Sequence, residues 1–134
     1  MKTVFADTFY FLALLNPSDQ AHAKAVAFTA GNTVRMVTTE WIVTELADGL
    51  ARSPRGRAEF LMTLADLRDD DDVNIVPSDP ELLEEGIQLY AKRPDKKWSL
   101  TDCVSFVVMQ RESLTEALTG DKHFEQAGFV ALFK

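Results

Sequence analysis

Short β-branched or apolar runs alternate with longer segments of helical period along this chain of 134 residues. That alternation restricts it to an α/β domain with a mostly parallel sheet, because parallel neighbours need a crossover long enough to hold a helix. About five strands are predicted, at Thr3 to Ala6, Thr33 to Thr38, Val73 to Val76, Glu116 to Thr119 and Phe129 to Phe133, with helices filling the gaps.

The breaks between helices follow local chemistry. Asn16-Pro17-Ser18 ends a first helix and begins a second that runs to about Ala30, where Gly31-Asn32 stops it. Thr39 opens a helix through "EWIVTELADGLAR", and Ser53-Pro54 sets the start of the next, about Arg55 to Arg68. "SDPELLEEGIQLYAKR" places an Asp cap before a Pro and then Leu82, Leu83, Ile87 and Tyr90 on one face. Ser99 repeats the capping pattern, followed by "LTDCVSFVVMQ", which is apolar nearly all round and is therefore expected at the centre of the fold. No internal repeat or linker divides residues 1–134, so one domain with one core is expected.

Composition removes several function classes. Hydrophobic residues at 46% and charged residues at 26% match an ordinary globular chain. The opening "MKTVFADTFYFLALLN" is split by Asp7 and has no small-residue cleavage site, so neither a signal peptide nor a membrane span is expected, and the protein is expected in the cytoplasm. Cys103 is the single cysteine, which excludes an internal disulfide and a cysteine-based metal cluster. It stands among core-like residues and reads as packing, as His22 reads as a surface or helix-packing residue. There is no G-x-S-x-G and no phosphate loop. The acidic run "RDDDD", Arg68 to Asp72, lacks the alternating ligands and central Gly of a calcium loop and reads as a solvated helix end.

Four other acids stand where chemistry is plausible. Asp7 follows the first strand directly, Asp121 follows the fourth after Gly120, and Asp102 falls in the first turn of the apolar helix. Glu45 is less than two turns into a helix that itself follows a strand. Each has a plain alternative: a helix cap for Asp7, Asp102 and Asp121, and a buried ion pair for Glu45 beside Trp41 and Ile42. Taken together they favour another reading, since in an open parallel sheet the ends of strands that lead into helices gather at one edge, where ligands bind. Carboxylates crowded there repel one another unless protonated or neutralised, and a divalent cation with oxygen ligands, Mg²⁺ or Mn²⁺, is the simplest neutraliser. Such an ion activates water and stabilises phosphoryl charge, so phosphodiester hydrolysis is its natural reaction. The formal charge of −7 argues against a polyanion partner, but −3 remains once the four acids are set aside, and "RDDDD" carries another −3. RNA would then be held by the metal and by basic groups such as Arg52, Arg55, Lys96 or Lys122.

The blocks "FADTFYFLALLN", "TTEWIVTELADGL", "WSLTDCVSFVVMQ" and "ALTGDKHFEQAGF", in this order and spacing, resemble the acidic motifs of the PIN-domain nucleases, and among them the small VapC-type toxins of toxin–antitoxin pairs. The resemblance spans essentially the whole chain and implies a three-layer α/β/α fold with Mg²⁺- or Mn²⁺-dependent endoribonuclease activity. It maps metal binding onto Asp7 and Asp102, with Glu45 and Asp121 completing the site and Thr8 and Thr119 orienting carboxylates or water. None of the four acids departs from the family pattern. The resemblance also implies a homodimer held inactive by a cognate antitoxin.

Three alternatives stay open at this level: an RNA-maturation nuclease of the same family, a receiver-like Mg²⁺-binding signalling domain, and a non-catalytic interaction module. His123, just beyond Asp121, is expected only to pack or to hydrogen-bond locally, because metal-dependent hydrolysis needs no imidazole base.

Overall fold

The computed structural model describes residues 1–134 as five strands and seven helices. In chain order they are β1 (Lys2–Ala6), α1 (Thr8–Leu15), α2 (His22–Gly31), β2 (Val34–Thr39), α3 (Glu40–Gly49) and α4 (Pro54–Asp69). Then come β3 (Val73–Val76), α5 (Pro80–Lys92), α6 (Leu100–Arg111), β4 (Glu116–Leu118), α7 (Lys122–Gln126) and β5 (Val130–Ala131).

Every strand pair is parallel, in the order β3-β2-β1-β4-β5. The chain moves outward from β1 through β2 to β3, then crosses back to lay β4 against the other side of β1. With right-handed crossovers, this reversal puts helices on both faces of the sheet, and it opens a crevice at the carboxyl ends of β1 and β4. The register there is tight: Phe5 pairs with Ala117 and Ala6 with Leu118. The next residues on each side are Asp7 and Thr119, so the pairing itself delivers two polar side chains to the crevice.

The helix starts obey the capping chemistry of the sequence. Thr39, Ser53, Asp79 and Ser99 each accept a backbone N–H of their own helix's first turn, and Pro54 and Pro80 occupy the first helical positions. Residues Cys103 to Met109 of α6 are all buried, as expected of a helix apolar on every side. Its Phe106 meets Trp98 and Phe124 edge to face, each at a centroid distance of 5.0 Å, and Phe129 at 5.8 Å. These rings clamp α6 against α7, which fixes the distance between the residues that open the two helices. His22 Nδ1 lies 2.8 Å from the carbonyl of Ala13 and ties α2 to α1. Asp70 turns the acidic run into β3 by accepting the N–H of Asp72, with Asp69 to Asp71 exposed.

The fifth strand is shorter than its apolar run suggests. The Thr119 N–H turns back to the Ala117 carbonyl at 3.0 Å and ends β4 after three residues, so Val130 and Ala131 alone have ladder partners. Phe129 is taken instead by α7, its N–H bonding to the Phe124 carbonyl at 3.0 Å after Gly128 turns the chain at φ 96°. No helix is long and apolar enough to cross a membrane.

Candidate active site

Asp7, Glu45, Asp102 and Asp121 line one open cleft of about 420 Å³, together with Thr8, Phe9, Leu12, Gly49, Lys97, Ser99 and His123. Four separate stretches of chain supply the acids, and each is aimed by its own local structure.

Asp7 occupies the cap position of α1, yet its side chain makes no capping bond. Its Oδ2 instead accepts the Thr119 hydroxyl at 2.8 Å, across 112 residues of sequence. The residue is 6% exposed. Burial pushes its carboxyl up to about 7, helped by the neighbouring Asp102 and Glu45 charges and opposed by the Thr119 bond. A plain cap would show none of this, so the capping alternative fails for Asp7.

Asp102 does cap. Ser99 Oγ accepts the Asp102 N–H at 3.0 Å and Asp102 Oδ2 accepts the Ser99 N–H at 3.1 Å, a reciprocal box with Asp in the place usually held by Glu or Gln. Asp121 also caps, its Oδ1 accepting the His123 N–H at 2.9 Å. Capping and site membership are compatible for both, because a cap uses one oxygen and leaves the other facing the cleft.

Glu45 is exposed, and the buried ion pair considered for it is absent: its partner is the Thr8 hydroxyl, which donates to Oε1 at 2.5 Å. The face of α3 that carries Ile42 and Leu46 is buried, and Glu45 stands at its edge, where the helix meets the cleft. Thr8 and Thr119 therefore each hold one carboxylate. Thr119, fully buried, also accepts the Asp121 N–H at 3.1 Å, so a single hydroxyl links the ends of β1 and α7.

His123 corrects the sequence expectation. Its Nδ1 lies 2.9 Å from Asp102 Oδ2, 21 residues away, and 3.5 Å from Asp121 Oδ2, so it is neither a packing residue nor locally bonded alone. Ligand atoms from Asp102, Asp121 and His123 all lie within 4.8 Å of one another, and Asp7 and Glu45 stand outside that tight group. The signal that could have found it is the Asp121 cap: a carboxylate that binds the N–H two residues on brings that residue's side chain to the same opening.

The basic residues distribute differently from expectation. Lys97, two positions before the Ser99 cap, lines the cleft, while Lys96 turns toward Asp95 at 4.0 Å. Arg55 pairs with Glu59 and lines an adjoining cleft that shares Leu12 and Gly49 with this one. Arg52 and Lys122 are exposed outside the cleft lining. Cys103 is buried, and burial with the Asp102 charge pushes its thiol up, which removes it as a nucleophile.

The donor set fits a hard divalent cation. No Lys or Arg forms an ion pair with any of the four acids, whereas six Lys or Arg ion pairs exist elsewhere in the molecule. Asp7, held near 7 mainly by burial and further by the Asp102 and Glu45 charges, sits in an oxygen-rich setting of the kind that a hard divalent cation would neutralise.

Known proteins match this architecture along nearly its full length. The 23S rRNA-specific endonuclease VapC20 of Mycobacterium tuberculosis is 27% identical over 127 residues, 95% of each chain. The crystal structure of that protein, described as a Sarcin-Ricin loop cleaving toxin, superposes with a TM-score of 0.85 at 25% identity, covering 95% of this chain and 96% of the other. FitAcB from Neisseria gonorrhoeae shares the fold, with a TM-score of 0.67 at 21% identity over 96% of this chain and 94% of the other. The PIN domain family matches residues 4–130, and with the parallel sheet and its helical layers already in view, this chain belongs to the PIN-domain family.

Proposed function

We propose that this protein is a divalent-metal-dependent endoribonuclease of the VapC type, the toxin of a toxin–antitoxin pair. The observation that carries the reading is Asp7: a carboxylate at the switch point of the sheet, buried, crowded by Asp102 and Glu45, and without a basic partner. Support for RNA as substrate comes from the VapC20 relative, named as an endonuclease of 23S rRNA.

Asp7 and Asp102 would hold Mg²⁺ or Mn²⁺, with Glu45 and Asp121 completing the acidic set. Such an ion, when bound, activates water and neutralises charge that develops on the phosphoryl oxygens. The chain's own residues do the rest. Thr119 keeps Asp7 turned toward the cleft, Thr8 does the same for Glu45, and the Ser99 box fixes Asp102 at the first turn of α6. Lys97 is the cation positioned to meet a backbone phosphate at this opening, and Arg55 extends a basic contact into the adjoining cleft. Arg52, Lys96 and Lys122 would contribute only to longer-range attraction of RNA, which at a net charge of −7 is weak and salt-sensitive.

The protein acts in the cytoplasm as a homodimer restrained by a cognate antitoxin. The test is Asp7→Asn, which keeps the Thr119 bond through its amide oxygen. Wild-type protein cleaves RNA with Mg²⁺ and arrests growth on expression, and the variant does neither while staying folded. Full cleavage by the variant, or undiminished cleavage in EDTA, overturns the reading.

A further inference from the structure

We propose that His123 is a positioning residue that presets Asp102 for the metal. The role rests on the metal-dependent reading above and goes beyond it, since the four-acid scheme gives the imidazole no part.

Asp102 Oδ2 receives two donors, the Ser99 N–H at 3.1 Å and His123 Nδ1 at 2.9 Å. A carboxylate oxygen accepts only, so Nδ1 carries the hydrogen, and the tautomer is set by its partner. With Oδ2 held from both sides, the carboxylate cannot rotate freely and its Oδ1 is left as the available ligand. The imidazole is itself braced. Its backbone N–H is bound by Asp121 Oδ1 at 2.9 Å, the next residue, Phe124, is fully buried against Phe106, and the side chain is 20% exposed.

The physical need is clear from the topology. Asp102 opens α6 and Asp121 opens α7, and two carboxylates arriving from separate helices at one cleft repel each other. An N–H between them, 2.9 Å from one and 3.5 Å from the other, holds both in place before an ion arrives. Ordering a ligand in advance lowers the cost of binding, and partners of this kind change metal affinity by about 10- to 100-fold.

The experiment measures Mn²⁺ binding by calorimetry, thermal unfolding, and nitrogen coupling in the electron spin-echo spectrum of the Mn²⁺-loaded protein. Wild type, His123→Ala, His123→Asn and His123→Gln are compared. The Asn amide can donate from the place of Nδ1, whereas the Gln amide reaches toward Nε2. His123→Ala and His123→Gln are expected to weaken Mn²⁺ binding by about 10-fold or more, His123→Asn to recover most of it, and wild type to show no directly bound nitrogen. The Asn and Gln pair decides the matter even if the Ala variant fails to fold. Equal Mn²⁺ affinity in all folded variants overturns the role, as does a coupling that makes His123 itself a ligand. Wild-type protein that binds no Mn²⁺ overturns both this role and the reading beneath it, whereas wild-type binding indifferent to position 123 overturns this role alone.

Discussion

Thr119 donates its hydroxyl to Asp7 Oδ2 at 2.8 Å and accepts the Asp121 N–H at 3.1 Å, so one buried oxygen joins two of the four acids. The bond is the largest influence holding the Asp7 carboxyl down against burial. Thr119→Val keeps the shape and removes both contacts, leaving a buried carboxylate and an N–H without partners. The expected cost is about 1–3 kcal/mol in urea unfolding at pH 8, together with weaker Mg²⁺ binding. Thr119→Ser should retain both properties. A Val variant as stable and as metal-competent as wild type would refute this link.

Asp7 also sets a pH dependence in metal-free protein. Its carboxyl sits at about 7 in the folded state against an ordinary value of 3.8. Between those values the folded chain keeps a proton that the unfolded chain has released, so stability falls as pH rises through this window, at up to about 1.4 kcal/mol per unit, and levels off above it. Asp7→Asn carries no such proton. In EDTA, the variant should gain on wild type from pH 5 to pH 8, and Mg²⁺ should stabilise wild type at pH 8 while leaving the variant unmoved. Parallel stability curves for the two proteins would contradict the assignment.

Glu45 offers a clean separation of site from scaffold. It is exposed and bound only to Thr8, so Glu45→Gln should shift unfolding by no more than about 0.5 kcal/mol while reducing RNA cleavage at least tenfold, on the order expected for loss of one ligand or water-orienting group. Unchanged cleavage with lowered stability would return Glu45 to a structural role.

Gly86 tests the packing that carries Asp102. A Cβ at this position of α5 would lie 2.6 Å from Val104 Cγ2 and 3.5 Å from Val104 Cα, on the helix that Asp102 begins. Ala normally gains about 1 kcal/mol over Gly within a helix, but Val is stiff at χ1 in a helix and cannot swing aside. Overpacking of this kind costs about 1–3 kcal/mol, so Gly86→Ala should be net destabilising in thermal unfolding. Adding Val104→Ala should relieve the clash. A more stable single variant would show that α5 and α6 shift apart freely.

The sequence by itself determined the layered α/β class, the single core, the central place of α6 and the positions of the caps, because periodicity and capping are local physics expressed within a few residues. It also marked Asp7, Glu45, Asp102 and Asp121, since an acid directly after a strand or early in a helix stands out against its apolar neighbours. Only the tertiary structure decided how those acids are held. The Thr119–Asp7 bond depends on the β1–β4 register, and the His123–Asp102 bond on Phe106 clamping α6 to α7. The same holds for Lys97 facing the cleft while Lys96 faces Asp95, and for a β5 cut to two residues by the turn at Thr119. Each of these depends on distances between residues far apart in the chain, which local pattern does not encode and which packing alone fixes.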